Sequence, residues 1–212
     1  MPVNRESQQA SWEADYRKKG RLYGGSPRKL PAFSSGTRVL DLGCGDGKSL
    51  VAMLNSGWRV TAADFSPAAL SLARNAAGNR APADLVVADA IRLPFRNSSF
   101  DAVTAIHLLG HSPLDGLQHI SWEIDRVLRP GGSIYVVVFS QQDFRCGNGK
   151  ETGRATYFRG NGIMTRYFTE PEVTRIFTEY TLQSVEHIEW ALRVRGREYP
   201  RSEIACLFSK PA

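Results

Sequence analysis

The sequence predicts an α/β fold: a doubly wound, mostly parallel sheet closed by an antiparallel pair of C-terminal strands. Three observations carry this. From Thr37 onward, short β-rich apolar runs alternate with helix-compatible stretches, as parallel strands joined by crossover helices do. The first of those runs enters a glycine-rich turn, Gly43-Cys44-Gly45-Asp46-Gly47, and a helical stretch follows at once. Near the C-terminus two further β-rich runs follow each other with no helix between them.

The five parallel strands are expected at 38–42, 58–63, 84–88, 100–106 and 133–139, enough for an open doubly wound core. Helices are expected at 48–55 and 67–76, the second opened by Ser66 as N-cap with Pro67 in the first helical position. A third helix is expected at 117–128, stopped by the turn Pro130-Gly131-Gly132. Before the sheet, Trp12, Tyr16, Leu22 and Tyr23 lie scattered among charges, which reads as an N-terminal helix and then a loop around Gly24-Gly25 and Pro27. After it, the glycine-rich stretch 145–166 is expected to be a mobile loop able to close over a substrate. A helix introduced by Thr169 is expected at 171–179, and the last two strands at 182–189 and 204–208. The arginine-rich stretch 193–201 is read as their connection. If it is extended, Arg193, Arg195 and Arg197 share one face.

No repeat or low-complexity linker divides the 212 residues, so a single domain is expected over 1–212: a helix and lid segment at 1–36, a core at 37–140, and a loop with the final strands at 141–212. No apolar run approaches the roughly 20 residues that span a bilayer, and the polar N-terminus lacks a secretory core, so no membrane partner and a cytoplasmic location are expected. Three scattered cysteines suggest neither a disulfide framework nor a metal site. The net charge of +6 leaves two readings open, an anionic partner such as nucleic acid or a solubilising surface. Oligomeric state is not legible.

The chemistry concentrates at strand ends. Asp41 and the turn Gly43-Cys44-Gly45 close the first strand, and glycine there permits positive φ and close approach of a ligand to bare backbone. A glycine turn alone is common, but Asp64 ends the second strand, where an acidic side chain in such folds accepts hydrogen bonds from ribose hydroxyls. Asp89 ends the third, placed to accept from an adenine amino group. Lys48 stands where a G-x-G-x-x-G dinucleotide fingerprint would have its third glycine, which argues against a dehydrogenase.

Taken in order, Asp41 to Gly47, Asp64-Phe65-Ser66, Asp89-Ala90, Phe100 through His107 and Leu128-Arg129-Pro130-Gly131-Gly132 resemble the motifs of class I S-adenosylmethionine-dependent methyltransferases, in particular the small, single-domain, small-molecule-like group. The resemblance covers about residues 37–140 and implies a Rossmann-like fold, with S-adenosylmethionine as cofactor and S-adenosylhomocysteine as product. It places Asp41, Gly43, Cys44 and Gly45 at the methionine end, and Asp64, Phe65 and Ser66 at the ribose and one adenine face. Asp89 and Ala90 go to the adenine edge, and Ile106 and His107 beside the sulfonium. Bland alternatives stand beside these roles: Phe65 as core packing, Cys44 as a filler of the turn.

His107 and His111 are the candidate general bases, with imidazole titrating near neutrality; packing of His107 and a loop role for His111 are the competing readings. Tyr16 and Tyr23, with Trp12, are candidates for an aromatic lid, and Tyr157, Arg159, Arg166 and Tyr167 for substrate contact. The expected function is methyl transfer to oxygen, nitrogen or sulfur of a small or medium molecule. One alternative is an RNA, particularly tRNA, acceptor met by Arg193, Arg195, Arg197 and Arg201; another is a non-catalytic cofactor-binding module.

Overall fold

A computed structural model describes residues 5–20, 30–80 and 83–212. The main sheet has seven strands in the order β3-β2-β1-β4-β5-β10-β9. Its parallel part is β1 (Arg38–Leu42), β2 (Arg59–Asp64), β3 (Asp84–Val87), β4 (Phe100–Ile106) and β5 (Leu128–Phe139). The chain winds outward from β1 to β3 and then returns to place β4 on the other side of β1. The carboxyl ends of β1 and β4 therefore flank the switch point, where open α/β sheets bind ligands.

Period-2 alternation sorts the strand residues between two cores. Val39 and Val60 pack with Leu50 and Met53 of α2 (Lys48–Asn55) and Leu70 of α3 (Pro67–Ala77). Leu40, Val103 and Val136 point the other way, onto Ile120 and Ile124 of α4 (Leu114–Val127) and Val173 of α5 (Glu170–Ile176). Ser66 caps α3 as expected, its hydroxyl accepting from Ala69 N at 3.0 Å with Pro67 in the first turn. Thr169 and Glu172 form a capping box on α5, which ends at Ile176, short of the expected 179. The turn expected at Pro130-Gly131-Gly132 survives only as a bulge in β5: the step from Leu128 to Ser133 faces the shorter step from Phe100 to Ala102 on β4.

Two longer regions also differ from expectation. Residues 145–166 are not wholly loop but contain a three-stranded antiparallel sheet, β6 (Lys150–Gly153), β7 (Thr156–Phe158) and β8 (Met164–Arg166). Its β-branched and aromatic residues find ladder partners that the glycines had obscured. The C-terminal strands are also longer than expected. In β9 (Thr181–Val194) and β10 (Arg197–Ser209), the arginine-rich stretch is strand on both sides of a two-residue turn, with Arg195 at φ 48° and Gly196 at φ 78°. Arg193 faces Glu198 and Arg197 faces Val194. Directly opposite residues share a face and neighbours alternate, so Arg193 and Arg197 lie on opposite faces, and the expected single-faced stripe does not form.

The hairpin also outreaches the sheet. The β10–β5 ladder begins only at Glu203, opposite Phe139, whereas Arg197 to Ser202 run in ladder with β9 and meet the segment after β5 through Ser140 N on Ser202 O and Phe144 N on Pro200 O, both at 3.0 Å. Its outer half thus stands beyond the carboxyl ends of the parallel strands, beside the switch point. Helix α1 (Arg5–Lys19) packs against α3. Among the described residues no helix is long and apolar enough to cross a membrane.

Candidate active site

A cleft of about 720 Å³ opens at the switch point. The side nearest β1 and β2 is built from backbone and strand-end carboxylates. Gly43 N and Cys44 N both donate to Ala63 O, at 2.8 and 3.1 Å, pinning the glycine turn to the end of β2. Gly43, Gly45 and Gly47 all have positive φ, and a Cβ on Gly47 would lie 2.8 Å from Ala73 Cα, so the turn can seat α2 against α3 only with glycine there. Asp64 ties the two ends of the site together, accepting from Gly45 N and Ser66 N at 2.9 Å each. Burial pushes its carboxyl up to about 6 against the pull of those hydrogen bonds. Asp41, also buried, is pushed up to about 7 by burial, with the Asp64 charge adding to the rise and the Thr104 hydroxyl bond at 2.9 Å opposing it.

Asp41 Oδ2 is buried with no hydrogen-bond donor among the described residues. A carboxylate oxygen left in that state fits a cationic ligand group, and the amino end of S-adenosylmethionine is one. The Cys44 thiol is held protonated by burial beside Asp41 and Asp64 and belongs to the packing of the turn. Beyond Phe65, a narrow pocket of about 70 Å³ lined by Ala88, Asp89, Ala90 and Leu108 continues the site past the end of β3. There the Asp89 carboxylate forms an ion pair with Arg5 of α1.

Helix α1 roofs both ends. Its buried Gln8 donates to Gly162 O and accepts from Met164 N, both at 2.9 Å, and Glu13 accepts from the Ser66 hydroxyl and Ala68 N. So held, Trp12 and Tyr16 stack at 5.6 Å over the cleft, and the Tyr16 hydroxyl lies 2.7 Å from where a Cβ on Gly45 would sit. Trp12 also meets the His111 ring edge-on at 4.8 Å.

The far side of the cleft is walled by the hairpin and the segment after β5. His107 follows β4 with φ 61°, a left-handed conformation costing about 1–3 kcal/mol in a non-glycine residue. Its N–H donates to Val137 O at 2.8 Å and its ring stacks on Phe139 at 4.0 Å, contacts that offset the strain and turn the imidazole into the cleft. Nε2 lies 3.2 Å from Oε1 of Glu203, a fully buried carboxylate on β10. On the same face of the hairpin, Ile188, Trp190, Leu192 and Arg201 complete the wall, with Arg145 beside them.

A family model described as a methyltransferase domain matches residues 40–136, the stretch holding Asp41, Asp64, Asp89 and His107. A solved S-adenosylmethionine-dependent methyltransferase from Methanosarcina mazei superposes with a TM-score of 0.69 at 26% identity, over 84% of this chain and 94% of that one. Residues 40–136 match this methyltransferase-domain family, and the fold is that of the class I S-adenosylmethionine-dependent methyltransferases. Among curated relatives, a demethylmenaquinone methyltransferase from Clavibacter sepedonicus is 43% identical over 108 residues, covering 50% of this chain and 42% of the relative. A tRNA N(3)-cytidine methyltransferase from Gallus gallus is 28% identical over 210 residues, covering 88% and 57%. The chain thus spans about half the length of the curated relatives it matches.

Within this fold, Asp41, Gly43, Cys44, Gly45, Asp64, Phe65, Ile106 and His107 all line the cleft, and Asp89 and Ala90 line the pocket beside it. Ser66 is fully buried and caps α3. His111 lines both cavities; its Nδ1 donates to Met164 O at 2.8 Å, and burial lowers its pKa to about 4, so it is neutral at physiological pH. Tyr16 is in the roof, whereas Tyr23, with Leu22, Gly24, Gly25 and Pro27, lies outside the described residues. Tyr157, Arg159, Arg166 and Tyr167 do not line the cleft: Arg159 donates to the Tyr167 hydroxyl at 2.7 Å behind Phe139, and Arg166 pairs with Glu172. The residues that sequence reasoning missed are Gln8, Glu13, Arg145, Trp190 and Glu203. Glu203 alone left a trace, an acidic residue opening an apolar strand.

Proposed function

We propose that this chain transfers the methyl group of S-adenosylmethionine to an oxygen, nitrogen or sulfur atom of a small molecule. The sulfonium of the cofactor supplies an electrophilic methyl, so the protein has to align the acceptor, exclude water and dispose of a proton. Asp41 holds the amino end, Asp64 the ribose and Asp89 the adenine edge, the last once Arg5 releases it. Ile106 and His107 border the acceptor. The acceptor lone pair forms the new bond to carbon as the carbon–sulfur pair returns to sulfur, and His107 takes the acceptor's proton. Glu203 then faces an imidazolium, whose charge it stabilises.

The observation that carries the small-molecule reading is the size of the walled cleft. The acceptor side is bounded by α1 above, the outer hairpin beside it and Phe139 below, and about 720 Å³ for cofactor and acceptor together is the scale of a small-ligand site. The demethylmenaquinone relative supports it. The tRNA-methylating relative supports an RNA acceptor as the second reading, because that match extends over most of the chain. Transfer of labelled methyl from S-adenosylmethionine to separate small-metabolite and tRNA fractions tests both. Label in the metabolite fraction is the expected result; label confined to tRNA overturns the reading, and tight cofactor binding with label in neither fraction leaves a binding module.

A further inference from the structure

Two buried guanidiniums on the acceptor wall share a single carboxylate. Asp143, buried completely just after β5, accepts from Arg145 Nε at 2.7 Å and Nη2 at 3.2 Å, and from Arg201 Nε at 2.7 Å. Both guanidiniums are mostly buried, with side chains 16% and 12% exposed. Arg145 lies 4.0 Å over the Phe139 ring; Arg201 lies 5.0 Å over Trp190. Each is therefore fixed in position as well as in charge.

Their donors are not spent. Among the described residues, Nη1 of Arg145 and both Nη nitrogens of Arg201 have no protein acceptor, although both residues line the cleft. The other carboxylate on this wall, Glu203, faces His107 Nε2. Arg159, bound to the Tyr167 hydroxyl close behind, adds a third positive charge to the group. The positive charges act on one another: Arg145 helps lower the pKa of Arg201 after burial, and Arg159 and Arg145 help lower that of His111. A network built only to tie the segment after β5 to β10 would use its donors on the protein. This one leaves the Nη pair of Arg201 and Nη1 of Arg145 without protein acceptors on two residues that line the cleft, and a guanidinium with a free Nη pair can recognise an oxyanion.

We propose that the acceptor carries an anionic oxygen group, a carboxylate or a phosphate, that docks on Arg145 and Arg201 while its nucleophilic atom faces His107. This rests on the small-molecule reading and narrows it to acidic acceptors. The Asp143 keystone is a positioning residue: it presents the two guanidiniums without neutralising both.

The test is calorimetric titration of the S-adenosylhomocysteine-loaded protein with naphthoate, naphthyl phosphate and the neutral isostere naphthamide. Naphthoate or naphthyl phosphate is expected to bind about tenfold or more tighter than the amide, the scale of a charge-assisted hydrogen-bond pair, and whichever acid binds better identifies the oxyanion. Arg201→Gln and, separately, Arg145→Gln should erase the preference for the acid over the amide while leaving S-adenosylhomocysteine affinity unchanged. That unchanged affinity certifies the fold, and the acid-to-amide ratio is a quantity that a merely structural network would not move. Equal affinity for acid and amide in the wild type, no binding of any of the three, or a preference that survives in a folded variant overturns the anion site. Failure of S-adenosylhomocysteine itself to bind would instead overturn the reading of the cleft as a cofactor site.

Discussion

The two halves of the cleft are held by different kinds of bonds. On the cofactor side the anchors are main-chain groups: Gly43 N and Cys44 N on Ala63 O, and Gly45 N and Ser66 N on Asp64. On the acceptor side they are side chains holding side chains, Asp143 with Arg145 and Arg201, and Glu203 with His107. A backbone-built half is set by strand ends and turns, so its shape follows from the fold and suits a ligand that does not vary. A half built from side chains can be recut one residue at a time, which is where specificity for an acceptor belongs.

The comparison is broken most severely at His107. In the transfer reaction, His107→Gln is expected to lower turnover by about 10²- to 10⁴-fold, the usual range for removing a general base, with S-adenosylhomocysteine affinity nearly unchanged. If turnover falls less than severalfold, His107 only packs on Phe139. Across the cleft, Asp64→Ala should act on binding instead, weakening S-adenosylhomocysteine by about 1.5–3 kcal/mol in calorimetry. A folded variant with wild-type affinity would remove Asp64 from the ribose site.

Titration gives a sharper test, because burial raises the two strand-end carboxylates Asp41 and Asp64. In the unfolded chain Asp41 and Asp64 titrate near ~3.9, whereas in the ligand-free fold they are pushed up to about 7 and about 6. Between those values the folded protein binds more protons than the unfolded chain. The stabilisation from these two groups is therefore complete below about pH 4 and is lost as pH rises through 6 and 7. A bound amino group favours ionised Asp41, so stabilisation by S-adenosylhomocysteine should grow over the same interval. Thermal melts should show a ligand-induced shift larger by a few degrees at about pH 8 than at about pH 5, with ~1 kcal/mol corresponding to about 2–4 °C in a chain of this size. A shift that is flat or shrinks with rising pH would mean that Asp41 does not meet the ligand's charge.

How far the sequence could be read follows the same division. Asp41, Asp64 and Asp89 announce themselves because strand, turn and acidic residue are local in sequence, and the strand order places their ends together. Glu203 and Arg201 reach the cleft only because β10 overruns β5, a fact of pairing between segments more than 60 residues apart. Arg145 matters through Asp143, which no local pattern marks. Gln8 acts on Gly162 and Met164 across most of the chain. The reading of residues 145–166 as loop failed for a related reason: glycine-rich segments look unstructured until the partners of their intervening strands are known.

The smallest expected effect concerns the arginines that the sequence brought forward. Arg193 is paired with Glu198 at 2.9 Å, Arg195 sits in the turn, and Arg197 is on the opposite face from Arg193; none of the three lines the cleft. Arg201, formerly grouped with them, belongs to Asp143 and the acceptor wall. Replacing Arg193, Arg195 and Arg197 together with Gln should therefore leave S-adenosylhomocysteine affinity and transfer to a small acceptor within about twofold, since exposed charges of this kind contribute little. Under the RNA reading the same triple change removes contacts to phosphates, and each lost contact lowers the slope of log affinity against log salt by about 0.7–0.9. Measuring tRNA binding by wild type and the triple variant across a salt series separates the two. Superimposable, shallow lines agree with a solvated hairpin tip, and a steep wild-type line that flattens in the variant would move the acceptor from the enclosed cleft to an RNA held along the hairpin.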